Sequence, residues 1–182
     1  MGQDLTSVCV FCGASDAADP ALLTAAADLG RILARETLLL VYGGGGVGLM
    51  GACALAAHAA GGKVLGVIPH FLKDRERRLD VVETLTVNSM HERKMIMFDR
   101  ADAFAILPGG IGTLEEVVEL LSWRRLDLHA KPVVFYNPGG FWDPLFALFQ
   151  HTVDQNLTPR DFMQSWVAVD QVEEIVPALR AI

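Results

Sequence analysis

A glycine-rich turn followed by a carboxylate is the part of this sequence that most clearly suggests chemistry. Residues 108–116 have the sequence Pro-Gly-Gly-Ile-Gly-Thr-Leu-Glu-Glu, after a short apolar run from Ala103 to Leu107. An apolar pattern with helical spacing follows them. A strand, a glycine turn and a helix N-terminus in succession form an anion site, because free backbone N–H groups and the positive end of the helix dipole face the ligand. Glu116 lies where it could face such a ligand.

Two interpretations of Glu116 stay open at this level. Thr113-x-x-Glu116 matches a capping box, which would give the carboxylate a purely structural role. A second stretch, Met90-His91-Glu92-Arg93-Lys94, favours chemistry. A Lys/Arg pair usually lies on a solvated face. Here Arg93 and Lys94 begin a helix at the same expected sheet edge, from which a guanidinium could reach Glu116 or a phosphate.

The elements around these stretches alternate between strand and helix. Strands are predicted at 7–11, 38–42, 63–68, 81–87, 103–107, 132–136 and 166–169, and helices at 20–35, 47–60, 89–100, 113–126, 143–155 and 171–181. Nearly continuous apolar strands separated by helices predict a mainly parallel sheet with helices on both faces. We therefore expect one α/β, Rossmann-like three-layer domain over residues 1–182. Its glycine turns at Gly13, 43–46 and 109–112 should share the carboxyl edge of the sheet, where ligands bind.

Composition limits the classes of function. The chain of 182 residues is 52% hydrophobic and 20% charged, with a net charge of −7, which argues against a nucleic-acid partner. Three cysteines and the lack of a basic-then-apolar leader favour a reducing cytoplasm. The 26 residues from Thr37 to Gly62 carry no charge, but four consecutive glycines interrupt them. We expect a buried strand, loop and helix there and no association with a membrane.

Several familiar patterns are incomplete. Gly43, Gly45 and Gly48 fit the dinucleotide fingerprint, but Ile68-Pro69-His70 stand where a ribose-binding acid belongs. Cys9-x-x-Cys12 has no second pair, and residues three apart on a strand point to opposite faces. His91-Glu92 opens a zinc motif that Met95 breaks. No metal and no cofactor are expected.

Together, the two stretches at 90–94 and 108–116 resemble the signature of the Lonely Guy family. Its members are cytokinin riboside 5′-monophosphate phosphoribohydrolases, often mislabelled as lysine decarboxylases. The family pattern PGGxGTxxE is matched at every fixed position. Residues 11–15, 43–45 and 48–51 also look like family segments, so the resemblance covers about residues 7–136.

The resemblance implies that Arg93 and Glu116 form the catalytic pair for hydrolysis of the N-glycosidic bond of adenosine 5′-monophosphates. It implies a nucleotide partner and a homodimer with its active site near the interface. Substrate-binding roles are expected for Gly13, Ser15, Gly43, Gly44, Glu76, Met90, Lys94, Gly109, Gly110, Ile111, Gly112, Thr113, Leu114, Glu115 and Ser122. Glu76 is transferred across a stretch that departs from the family pattern, because Leu79 stands where a histidine is expected.

Two other functions compete with hydrolysis. The same anion site would suit a protein that only holds a nucleotide-like ligand, as related molybdenum-cofactor carriers do, although Arg93 and Glu116 together favour an enzyme. Lysine decarboxylation would need a pyridoxal-phosphate lysine. Apart from Lys94 the chain has Lys63, Lys73 and Lys131, and none stands in a recognisable cofactor motif.

Overall fold

Residues 5–182 of the computed structural model are described here, and they build a seven-stranded sheet in which every pairing is parallel. The strands are β1 (Ser7–Phe11), β2 (Leu39–Tyr42), β3 (Val64–Pro69), β4 (Glu83–Val87), β5 (Ala103–Ile106), β6 (Val133–Tyr136) and β7 (Val167–Val169). The helices are α1 (Pro20–Arg35), α2 (Gly48–Ala59), α3 (Met90–Asp99), α4 (Ile111–Arg125), α5 (Asp143–Asp154) and α6 (Ile175–Ala181). The predicted fold class is confirmed.

The strand order β4-β3-β2-β1-β5-β6-β7 places a switch point between β1 and β5. From β1 the chain moves outward to β4, then returns to the centre at β5 and moves outward in the other direction. Ligands of open parallel sheets bind outside the strand ends at such a switch. The turn at Gly13 follows β1 and the turn at 109–110 follows β5. The two turns are in direct contact, since the Gly13 N–H donates to the Pro108 carbonyl at 3.0 Å.

Two apolar cores lie on opposite faces of the sheet. One contains residues of α1, α2 and α6, and the other contains residues of α3, α4 and α5. The central strands contribute to both, because alternate residues of a strand point to opposite faces. Val8 and Val10 of β1 face the first core, whereas Cys9 and Phe11 face the second. In residues 5–182, no helix has the length and apolar character needed to span a membrane.

Local signals predicted several helix starts correctly. The Asp19 carboxylate accepts the Ala21 N–H at 2.8 Å, and proline occupies the first position of α1. Ser89 caps α3 by accepting the Glu92 N–H at 3.0 Å. The Glu92 carboxylate accepts the Asn88 N–H at 2.8 Å. In an ideal capping box it would accept the N–H of the next residue, the N-cap Ser89.

The structure excludes one of the two interpretations of Glu116. The N-cap of α4 is Gly110, no side chain caps this helix, and its first residue is Ile111. Thr113 is therefore inside the helix and buried beneath the preceding turn, where a Cβ added to Gly109 would lie 2.1 Å from its Oγ1. The supposed capping box of Thr113 and Glu116 does not form, so capping does not explain why position 116 carries a carboxylate.

The crossing of α1 and α2 depends on a glycine. A Cβ added to Gly30 would lie 2.2 Å from the Cys53 carbonyl oxygen, so Gly30→Ala should force the helices apart. We expect a loss of about 1–3 kcal/mol in the free energy of unfolding, despite alanine's better helix propensity. Urea denaturation measures it. Gly112→Ala is the control, because nothing lies within 4 Å of a Cβ there and stability should be unchanged or slightly higher. Equal stability of both variants would contradict close packing at Gly30.

Candidate active site

A cavity of about 890 Å³ opens at the switch point of the sheet. The turns after β1 and β5, the N-termini of α2, α3 and α4, and the segment after β3 surround it. Twelve of the residues predicted from the sequence line it: Gly13, Ser15, Glu76, Met90, Arg93, Gly109, Gly110, Ile111, Gly112, Thr113, Glu115 and Glu116. The sheet thus brings together residues that are separated by up to about a hundred positions in the chain.

The N-terminus of α4 is open to the cavity, as the predicted anion site requires. Its first N–H groups have no side-chain cap, and the glycines of the turn leave space above them. Added Cβ atoms on Gly110 and Gly112 would meet nothing within 4 Å. Free N–H groups at the positive end of a fifteen-residue helix favour phosphate or carboxylate ligands. A phosphate-sized group can reach this backbone from the cavity.

Arg93 is the most constrained polar side chain of the site. It is 4% exposed, and its guanidinium has three oxygen partners. Nε donates to the Val67 carbonyl at 3.0 Å, and Nη2 donates both to the Gly43 carbonyl and to Glu76 Oε2, the latter at 3.0 Å. Nη1 contacts the Met90 sulfur at 3.9 Å and has no oxygen acceptor among residues 5–182. One of the two N–H groups of Nη1 is therefore available to a ligand in the cavity.

This geometry corrects one expectation about Arg93. From the sequence, its guanidinium could reach Glu116 or a phosphate, but its carboxylate partner in the structure is Glu76. Burial raises the pKa of Glu116 from 4.5 to about 7, and the nearby positive charge of Arg93 only partly offsets it. The negative charges of Glu115 and Glu76 raise this pKa further. Glu116 is therefore a carboxyl group that exchanges a proton near neutral pH, beside the anion site.

Lys94 and four other predicted binding residues lie outside the cavity lining. The Lys94 ammonium pairs with Glu115 and Glu119 on α4, and these bonds raise its pKa despite burial of the amine. Gly43 lies against Arg93, to which it offers its carbonyl, and Gly44 packs against Val67 and Ile68 of β3. Leu114 and Ser122 line a separate groove on the outer side of α4. Contacts of these residues with a nucleotide stay predictions.

The cavity also has apolar walls that the sequence did not reveal as part of a site. They include Leu22 of α1, Leu49 and Met50 of α2, Leu72 in the segment after β3, and Phe141 before α5. Leu22 is partly buried and also packs against the first apolar core. Leu72 and Phe141 lie in stretches where the family resemblance is weak, so no pattern in one sequence could select them.

Comparison with known proteins identifies the family of this chain. A family model described as "possible lysine decarboxylase" matches residues 50–179. The probable cytokinin riboside 5′-monophosphate phosphoribohydrolase LOGL9 of Oryza sativa subsp. japonica is 44% identical over 178 residues, covering 93% of this chain and 78% of the relative. The corresponding enzyme LOG5 of Arabidopsis thaliana is 41% identical over 175 residues, covering 96% and 77%. The chain belongs to the LOG family.

Solved structures share the fold of this LOG-family chain at lower identity. The molybdenum cofactor carrier protein of Chlamydomonas reinhardtii has a TM-score of 0.73 at 21% identity, covering 97% of both chains. The molybdenum cofactor binding protein of Rippkaea orientalis has a TM-score of 0.69 at 24% identity, covering 98% of both. At such identities the likeness concerns the fold alone, and it does not transfer a ligand.

The raised pKa of Glu116 predicts a specific dependence of stability on pH. Between pH 4.5 and about 7 the folded protein holds a proton that the unfolded chain releases, so this carboxyl group lowers stability as pH rises through that range. Glu116→Gln removes the effect. We expect the free energy of unfolding of the variant, measured by urea denaturation, to equal that of wild type near pH 4. At pH 8 it should be about 3 kcal/mol higher than that of wild type. The same stability difference at both pH values would contradict the assignment.

Proposed function

We propose that this protein hydrolyses the N-glycosidic bond of adenosine 5′-monophosphates, including N6-substituted ones, and releases the free base and ribose 5-phosphate. The observation that carries the proposal is the position of Glu116, a carboxyl group with a pKa of about 7, in the same cavity as the open N-terminus of α4. Relatives that are about 40% identical over most of the chain are named as phosphoribohydrolases of cytokinin riboside 5′-monophosphates. This supports the same reaction here.

The 5′-phosphate binds at the N-terminus of α4 in this account. The N–H groups around Gly110 and Gly112 donate to its oxygens, and Thr113 lies directly below. Phosphate binding far from the bond that breaks supplies energy for orienting the ribose. A nucleoside without the phosphate should therefore be a poor substrate.

Glu116 and Arg93 act on the ribose. Cleavage breaks the bond between C1′ and the base nitrogen, and the base leaves with the electron pair. The transition state has oxocarbenium character, as in other glycoside cleavages. The ionised Glu116 stabilises the developing positive charge and accepts a proton from the attacking water, whose oxygen bonds to C1′. The departing base takes up one proton from solvent and Glu116 later releases the water proton to solvent, so that the elements of one water molecule are added across the bond. The free Nη1 of Arg93 binds a ribose or phosphate oxygen.

The apolar walls suit the base. Leu49, Met50, Leu72 and Met90 line the same cavity as Arg93. A flat purine, or an alkyl group on its N6 atom, gains free energy from burial against such side chains. The volume of about 890 Å³ leaves room for a substituent on the base. We therefore propose that plain and N6-alkylated adenosine monophosphates both enter the site.

Removal of the Glu116 carboxylate should reduce turnover far more than binding. We expect Glu116→Gln to lower kcat for base release from AMP by about 10²–10⁴-fold, with a change of at most a few-fold in the AMP dissociation constant. Chromatography of free adenine gives the rate, and calorimetry gives the binding. Glu83→Gln, on the exposed start of β4, is the matched control and should retain wild-type turnover. Near-normal adenine release by Glu116→Gln would refute the role of Glu116.

A carrier of a nucleotide-like ligand is the other function that the fold allows. The two molybdenum-cofactor proteins compared above are 24% and 21% identical to this chain. The curated phosphoribohydrolases are nearly twice as similar in sequence, so a carrier is the weaker interpretation. The adenine assay separates the two, because a carrier binds its ligand and releases it unchanged.

We also propose that the chain forms a homodimer through the outer side of α4, in the cytoplasm, without nucleic-acid or membrane partners. Ile111 and Val118 are 84% and 46% exposed on this helix, beside the groove that contains Ser122. Ser122 does not line the cavity of its own chain. A second copy packed on α4 would bury the two apolar side chains and bring Ser122 towards the partner's cavity.

A charge at the centre of the outer side of α4 should separate the two copies. We expect wild type to sediment as a dimer and Val118→Glu as a monomer in equilibrium ultracentrifugation, because a carboxylate buried without a partner is costly. Val167→Glu is the matched control, since Val167 is similarly exposed, at 41%, on the distant strand β7. A monomeric wild type, or a dimeric Val118→Glu, would contradict the proposed interface.

A further inference from the structure

Three loops at the active edge of the sheet meet at one carboxylate, that of Asp16. Asp16 lies in the turn between β1 and α1. Its Oδ1 accepts the backbone N–H of Gly48, the first residue of α2, at 3.1 Å. Its Oδ2 accepts an N–H from Nη2 of Arg77, which belongs to the segment between β3 and β4. The turn after β1, the glycine turn after β2 and the segment after β3 are thus joined through a single side chain.

The segment after β3, residues 70–82, matters because it carries Glu76. It lies flat on the glycine turn, with the Gly46 N–H donating to the Glu76 carbonyl at 2.7 Å. A Cβ added to Gly46 would lie 2.2 Å from the Arg77 carbonyl oxygen, so the approach leaves no space for a side chain. Ion pairs fix the segment at two neighbouring positions, Glu76 to Arg93 and Arg77 to Asp16.

The backbone of Arg77 supports a positional role for its side chain. Its φ angle is +45°, in the left-handed region that glycine adopts without strain and an arginine rarely adopts. Strained conformations of this kind are maintained by surrounding interactions. The ion pair with Asp16 and the backbone bond of Glu76 are the interactions that flank this residue.

We propose that Asp16 and Arg77 are positioning residues that hold the segment 70–82 on the glycine turn, and thereby keep Glu76 paired with Arg93. Their effect on turnover rests on the function proposed above, whereas the attachment of the segment is a property of the fold. Both side chains are well exposed, at 60% and 65%. Exposed ion pairs contribute little and are screened by salt, so the effect should be several-fold and should vanish at high ionic strength.

Asp16→Asn tests the attachment, because asparagine retains an acceptor for the Gly48 N–H and removes the charge that Arg77 needs. Lys73, Arg75, Arg77 and Arg78 make the segment a target for trypsin. We expect trypsin to cleave it roughly two- to five-fold faster in the variant than in wild type at low salt. Asp28→Asn is the matched control, since it removes another exposed ion pair, to Arg31 on α1, and should leave cleavage unchanged.

The same variants test the effect on the reaction. We expect Asp16→Asn to lower kcat/KM for AMP by roughly two- to five-fold, mostly through kcat, because the bond from Glu76, one of the three oxygen partners of Arg93, is weakened. The ratio of wild-type to variant kcat/KM should approach one in 1 M NaCl, whereas wild type and Asp28→Asn should agree at every salt concentration. A general loss of stability would not produce this convergence.

Two results would overturn parts of the proposal for Asp16. If trypsin cleaved Asp16→Asn as slowly as Asp28→Asn, the proposed attachment of the segment by Asp16 would be wrong. Faster cleavage with unchanged kcat/KM would overturn the positioning role. If wild type released no adenine from AMP, the proposed function would fail, and the trypsin comparison would still decide whether Asp16 holds the segment.

Discussion

The buried guanidinium of Arg93 is the interaction on which the site depends. A buried charge must be paired and hydrogen-bonded, or its desolvation costs several kcal/mol. Arg93 meets this requirement with the Val67 and Gly43 carbonyls and the Glu76 carboxylate. These partners come from β3, from the turn after β2 and from the segment after β3. One side chain on α3 therefore fixes the relative positions of three parts of the sheet edge.

The pairing of Arg93 with Glu76 determines the state of Glu116. If the guanidinium were bonded to Glu116, that carboxylate would be ionised at all neutral pH values and would be a weak base. With Glu76 in that place, burial dominates and the pKa of Glu116 rises to about 7. The Lys94 ammonium is likewise paired with the carboxylates of Glu115 and Glu119. The acids around the site thus neutralise its cations and leave one carboxyl group free to exchange a proton.

The sequence predicted most of the fold and many of the residues that line the cavity. The bounds of β1 and α1 were predicted correctly, because Asp19-Pro20 marks the helix start and the apolar run from Ser7 to Phe11 marks the strand. The glycine turn before α4 was recognised from local chemistry alone. The sequence did not reveal that α4 lacks a side-chain cap, because a threonine three residues before a glutamate fits a capping box whether or not the helix has already begun.

Pairings between distant segments were beyond the sequence. The choice of Glu76 as the partner of Arg93 depends on how the segment after β3 lies on the glycine turn, which no periodic pattern encodes. The same holds for Asp16 and Arg77, which are 61 positions apart. Phe141 reaches the cavity only because β6 lies beside β5 in the sheet. Such contacts follow from strand order, and strand order is a property of the whole chain.

The most direct test of the central claim is the titration of Glu116 itself. The side-chain carboxyl carbons of ¹³C-labelled protein can be followed by NMR between pH 4 and 9, with Glu116→Gln used to assign the resonance. If the Arg93 guanidinium is paired with Glu76 and not with Glu116, the Glu116 resonance should titrate with a pKa of about 7. A midpoint at or below 4.5, the ordinary value for glutamate, would show that Glu116 is ionised throughout and would contradict the account.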